Sequence, residues 1–205
     1  MHFKFYYNRH IVPHRDEKVP GFAKRLKIDL DLTAFSQENS VFKEWQKDNH
    51  EIIANCLYHD FERWKVKRFV KDARDLGQVK NFLKDNFSKL KEIRMGIIAD
   101  SGDPPQMNHN QFFKFCRMAK MHDKAVTQGM LESSFAATNF DHKTQSWNKE
   151  TSLLRYEFFE VLVRIARAKY VDNGILADDE SYRALHRLVN EHILPILQNK
   201  KLPEW

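Results

Sequence analysis

Glycine and proline are scarce in this chain, six of each among 205 residues. That argues against a turn-rich all-β fold, whose many connections need both residues. Cysteine is scarcer still. Cys56 and Cys116 lie far apart and match no zinc or redox spacing, so both are expected to be buried, reduced thiols of a cytoplasmic protein. No apolar run of roughly 18 residues occurs, which leaves no membrane span to expect. Residues 1–7 lack the apolar stretch of a secretory signal. Catalytic signatures are missing as well: there is no Ser/His/Asp order, no Gly-rich phosphate loop and no Walker-type lysine. An enzyme is therefore the least supported class, and no cofactor is expected.

What the chain does hold is bulk and charge. Apolar residues make up 42% and charged residues 30%, with 16 Phe and 4 Trp to fill a core. Long segments of Lys, Glu, Leu and Phe favour helix, so the expected fold class is all-α. The net charge of +6 is unevenly placed. Residues 1–27 carry seven Lys or Arg against two acids, a surplus of +5, and the rest of the chain is close to neutral. The basic character belongs to an N-terminal arm and not to a folded body, where a nucleic-acid-binding fold would carry it.

That arm contains Pro13, Pro20 and Gly21 and no helical periodicity. Phe3, Phe5 and Tyr7 alternate as in an extended segment, and Lys4, Arg9, Arg15, Lys18, Lys24 and Arg25 supply the charge. These residues, together with Trp205 at the other end, are the candidate partner-binding set. The bland alternative is a terminus that packs back on its own domain.

Residues 28–79 form an expected helical segment. Ser40 suits an N-cap, followed by Val41, Phe42 and Trp45, with a break near Asp48 and Asn49 before Ile52, Ile53, Cys56 and Leu57. Phe61, Trp64 and Phe69 extend a helical stripe, and Gly77 is expected to end it. Spacings of three and four from Val79 to Ile98 predict one amphipathic helix. Asp100-Ser101-Gly102-Asp103-Pro104-Pro105 breaks it. A further helix is expected from Asn108 or Asn110, another after a cap region at 123–127, and a nearly all-apolar one over 153–169. An apolar circumference marks a helix central to its domain. Asp172-Asn173-Gly174 reads as its C-terminal stop, and a last helix from Asp179 meets Pro195.

Two polar loops, at 100–111 and 139–157, each lead into a helix with a Phe just inside it, Phe112 and Phe158. With Asp100 in the first position of a loop of about a dozen residues, Met107 falls at the eighth and Gln111 at the twelfth. In the second loop, counting from Asn139 places Asp141 third, Lys143 fifth, Ser146 eighth and Glu150 twelfth, whereas counting back from Glu157 as the twelfth places Leu153 at the eighth. Residues 80–171 therefore resemble a pair of the EF-hand superfamily with both loops degenerate. Gly102, Pro104 and Pro105 stand where the first loop needs ligands or its turning glycine, and the second loop is too long and carries Lys143. The run from Leu154 to Tyr170 is also similar to EF-hand-like modules of protist ciliary and flagellar proteins. Taken together, the expected architecture is an all-α helical bundle containing a degenerate EF-hand-like pair, with extra N- and C-terminal helices and a separate segment 172–205.

Other constellations are weaker. The ten His do not fall into helical zinc pairs. Glu157 and Glu160 would make an acid/base pair, but in an apolar helix they are better read as partners of Arg164 or Arg155. The segment from Phe61 to Phe69 interleaves aromatic and basic residues, as an RNA-stacking face would.

The resemblance implies a non-enzymatic structural or adaptor protein of a microtubule assembly, located in the cytoskeleton of a cilium or flagellum. Its expected partners are other proteins of a large assembly, tubulin among them, with no membrane. One alternative is a calcium-responsive EF-hand adaptor with Asn139, Asp141 and Glu150 or Glu157 as weak metal ligands. The other is an RNA-binding component of a ribonucleoprotein, which the arm and the Trp64 face would serve.

Overall fold

The computed structural model describes Lys43 and residues 48–99, 106–140 and 151–198. All of these except Lys43 belong to the unit that begins at Asp48. The Ser40 helix start, the arm over 1–27, Asp141, Glu150 and Trp205 lie outside the described residues.

The described part is all-α apart from one two-stranded ribbon. Helix α1 spans His50–Arg63, α2 Ala73–Asp85 and α3 Phe87–Ala99. Strand β1, Met107–Asn108, runs directly into α4, His109–Met118. Helix α5 spans Gln128–Asn139. Strand β2, Ser152–Leu153, precedes α6, Arg155–Tyr170. Helix α7, Ser181–Leu188, passes through a π-helical stretch, Val189–Ile193, into a last turn, α8, Pro195–Gln198. No helix among the described residues is long and apolar enough to cross a membrane.

Short polar side chains set the helix starts. Asn49, Asp72, Asn108 and Thr127 each accept a hydrogen bond from a first-turn backbone N–H, which satisfies donors that the helix itself leaves unpaired. Gly174, at φ +71°, closes the turn after α6 in a left-handed conformation that other residues avoid.

Helix α6 is the axis of the core, as its apolar circumference predicts. Phe158, Val161, Leu162, Val163, Ile165 and Ala166 have no exposed surface. It packs most extensively on α7 and α5, and α2 lies against α7. Aromatic edges interlock around it, with ring centroids of Phe115 and Phe158 at 5.3 Å and of Phe87 and Phe159 at 6.0 Å.

The structure departs from the sequence expectation at four places. Gly77 does not end a helix; it sits inside α2. The helix expected from Val79 to Ile98 is two helices, parted at Asn86, whose backbone N–H and side-chain amide both turn back to the Phe82 carbonyl. The stripe through Phe61, Trp64 and Phe69 is not one helix either. Helix α1 stops at Arg63, and Val66–Arg68 makes a single 3₁₀ turn. Of the two thiols, Cys116 is buried as expected, while Cys56 is half-buried.

A Cβ added at Gly77 would meet nothing within 4 Å. Gly77→Ala is therefore expected to stabilise the fold by about 0.5–1 kcal/mol, through the lost freedom of the unfolded chain. Urea unfolding measures it; a destabilised variant would mean that the α2 backbone here is not an ordinary helix.

Candidate functional site

Two helix–loop–helix units, α3–β1–α4 and α5–β2–α6, meet at the ribbon. Strands β1 and β2 pair antiparallel, with Met107 opposite Leu153 and Asn108 opposite Ser152. Both Met107 and Leu153 are fully buried. The loop stretches 100–105 and 141–150 lie outside the described residues.

The two helices leaving the ribbon open with related devices. Asn108 Oδ1 accepts from the Gln111 backbone N–H at 3.0 Å, and Gln111 Oε1 accepts from the Asn108 N–H at 2.7 Å. This is a reciprocal capping box. In α6 the cap position is Leu154, which has no side-chain acceptor, so half of the box remains: Glu157 Oε2 accepts from the Leu154 N–H at 2.8 Å. Gln111 Nε2 also donates to the Ile98 carbonyl at 3.2 Å, tying the end of α3 to the start of α4. Gln111 and Glu157 thus both act on backbone at helix starts, and both are buried.

Each end of the second loop is held by a cation from elsewhere in the chain. At its start, Lys65 Nζ donates to the Thr138 carbonyl at 2.7 Å and to the Phe140 carbonyl at 2.6 Å. These carbonyls flank Asn139 at the C-terminal, electronegative end of α5, where a positive charge is favoured. At the loop's far end, Arg94 Nη2 donates to the Leu153 carbonyl at 3.3 Å. Burial, with the nearby charge of Arg155 adding to it, lowers the Arg94 guanidinium to about 10. It stays protonated at neutral pH.

Glu160 fixes Lys65 in place. This carboxylate has no exposed surface. It accepts from the Lys65 backbone N–H at 2.9 Å and from Arg164 Nη2 and Nε at 2.9 and 3.2 Å. That interaction is also the physical reason why α1 stops where it does. The Lys65 N–H is satisfied by a side chain 95 residues away instead of by the next helical turn. Arg164 in turn lies over the Phe69 ring at 4.4 Å. Of the pairing expected for the α6 acids, Glu160–Arg164 forms, but Arg155 turns to Asp60 instead, in a bidentate bridge at 2.7 and 3.1 Å.

Of the residues expected as weak metal ligands, Asn139 ends α5 with its side chain buried, and Glu157 caps α6. Asp141 and Glu150 are outside the described residues. Among the described residues, no three His, Cys, Asp or Glu are grouped to hold a metal. The aromatic residues of the suggested RNA face turn inward: Trp64 is 7% exposed and stacks on Phe61 at 5.0 Å. Sequence reasoning missed Lys65, Arg94 and Asp60. The one hint was a lysine standing inside an aromatic stripe.

The arrangement pins both flanks of the second loop with protein groups. No protein-family model, curated protein or solved structure matches the chain.

Proposed function

We propose that this protein is a non-enzymatic structural component of a cytoskeletal assembly, an axonemal microtubule complex. It would be built on a degenerate EF-hand pair that works without calcium and docks through its helical surfaces and its basic arm. The observation that carries the reading is the doubly tied second loop. Met107 and Leu153, the eighth positions of the two loops, face each other across the ribbon, as paired loops of this type require. Lys65 and Arg94 would stand in for part of the charge of a calcium ion, through the carbonyls of Thr138, Phe140 and Leu153 that flank the second loop. A permanent internal cation suits a fixed structural part and not a sensor, because a sensor needs an equilibrium that the ion can bias.

The cytoskeletal part of the proposal rests on the resemblance of the 154–170 run to ciliary modules and on the +5 arm, which suits an acidic lattice such as tubulin. Deleting residues 1–27 is expected to weaken co-sedimentation with microtubules about tenfold or more at low salt, with a smaller loss at high salt. Unchanged co-sedimentation would remove the arm from the account.

A further inference from the structure

A cleft of about 530 Å³ opens between α4 and α5. Its apolar surface comes from Phe113, Cys116 and Leu131. Its polar surface includes Arg117, His109 and His122, and among the described residues no acid lines it. Arg117 is exposed, and the segment joining α4 to α5 adds two more exposed cations, Lys120 and Lys124, on either side of His122 in the chain. Asp123, the acid of that segment, is neutralised from within. It forms an ion pair with Lys169 and accepts from the backbone N–H groups of Ala125 and Val126, both at 2.8 Å. Despite the cost of partial burial, these partners hold its carboxyl below the usual carboxylate range. Glu132 on α5 accepts from Gln128 Nε2 at 3.0 Å. Among the described residues, no carboxylate pairs with Arg117, Lys120 or Lys124.

An apolar trough with Arg117 in its wall, and with exposed Lys120 and Lys124 next to His122 in the chain, asks for an occupant that is apolar on one side and anionic on the other. We propose that this cleft binds an acidic amphipathic peptide segment of a partner protein. One or two apolar side chains would enter against Phe113 and Leu131, and flanking carboxylates would meet Arg117, Lys120 and Lys124. The proposal deepens the reading of the protein as an assembly component, on which it rests, by naming the chemistry of one partner. The apolar floor favours a peptide over a nucleic acid. The Phe113 ring is already engaged by His109 at 4.6 Å and Phe112 at 5.4 Å, which leaves little free aromatic face for a base to stack on.

The test is fluorescence anisotropy on the full chain with four labelled probes. They are a Glu-rich peptide carrying Phe and Leu, the same peptide with its Glu changed to Lys, a Glu-only peptide, and oligouridylate. The first should bind tightest and weaken with salt. Arg117→Glu, at an exposed position, should lower its affinity about tenfold or more, and Phe113→Ser should do so without steepening the salt dependence. Equal binding of the Glu-only peptide, tighter binding of oligouridylate, or an unchanged affinity in Arg117→Glu would overturn the proposal. The same Arg117→Glu protein is also taken through microtubule co-sedimentation. Lost peptide binding with microtubule binding intact separates this site from the arm. Peptide binding by the unmodified chain, with no co-sedimentation, sinks the cytoskeletal reading and leaves the cleft standing.

Discussion

Glu160→Ala is expected to cost about 3–4 kcal/mol, within the range of roughly 3–5 kcal/mol for removing one partner of a buried charged pair. The carboxylate is fully buried in α6, and three donors converge on it: the Lys65 N–H and two nitrogens of Arg164. Truncation leaves a part-buried backbone donor unpaired and a guanidinium, 22% exposed, without its counter-charge. It also releases the turn that aims Lys65 at the end of α5. For a chain of this size the melting temperature should fall by roughly 10 °C. Glu160→Gln keeps one oxygen for the Lys65 N–H and should lose only about half as much. Urea and thermal unfolding of both variants measure the effect. A neutral Glu160→Ala would show that the network is not what organises this corner.

Asp75→Ala is expected to be nearly as severe, at about 2–3 kcal/mol. Asp75 is 2% exposed in the first turn of α2. Its two oxygens accept from the Ser181 N–H at 2.9 Å and the Tyr182 N–H at 2.8 Å, more than 100 residues along the chain. The carboxylate therefore caps α7 from another helix, at the end where the helix dipole favours negative charge. Glu180, which occupies the cap position itself, bonds the Ala177 N–H instead, so α7 has no local substitute. Arg167 holds the other side of this corner. Its Nη1 donates to the Asp178 carbonyl at 2.8 Å and to Ser181 Oγ at 2.5 Å. Hydrogen exchange should show α7 loosened more than α1. Uniform loosening would mean that the cap contributes only through global stability.

What could be read from the sequence, and what could not, follows the range of the forces involved. The start of α4 near Asn108, the cap region before α5 and the central placement of α6 are written in local patterns: a short polar residue ahead of an apolar period, or a period with no polar side. Loop counting places Met107 and, on one of its two counts, Leu153 at eighth positions, but by itself it predicts no ribbon between them. The break at Asn86 and the continuation through Gly77 could not be anticipated, because helix propensity is weak beside packing. The buried charges were least legible. Arg155 meets Asp60 and not a neighbour on its own helix, Lys65 reaches α5, and Asp75 reaches α7. Each of these contacts spans more than 70 residues, so no spacing rule points to them. The same holds for the cleft, whose lining among the described residues has no acid and becomes visible only when α4 and α5 are set side by side.

The claim that the paired loops stand without a metal is tested most directly by thermal unfolding of the full chain in calcium and then in chelator, at low and moderate salt. The account predicts superimposable curves, since Lys65 and Arg94 already occupy the carbonyls at both ends of the second loop. A rise of several degrees with calcium would mean that the folded state binds the ion. It would contradict the structural reading in favour of a calcium-responsive adaptor.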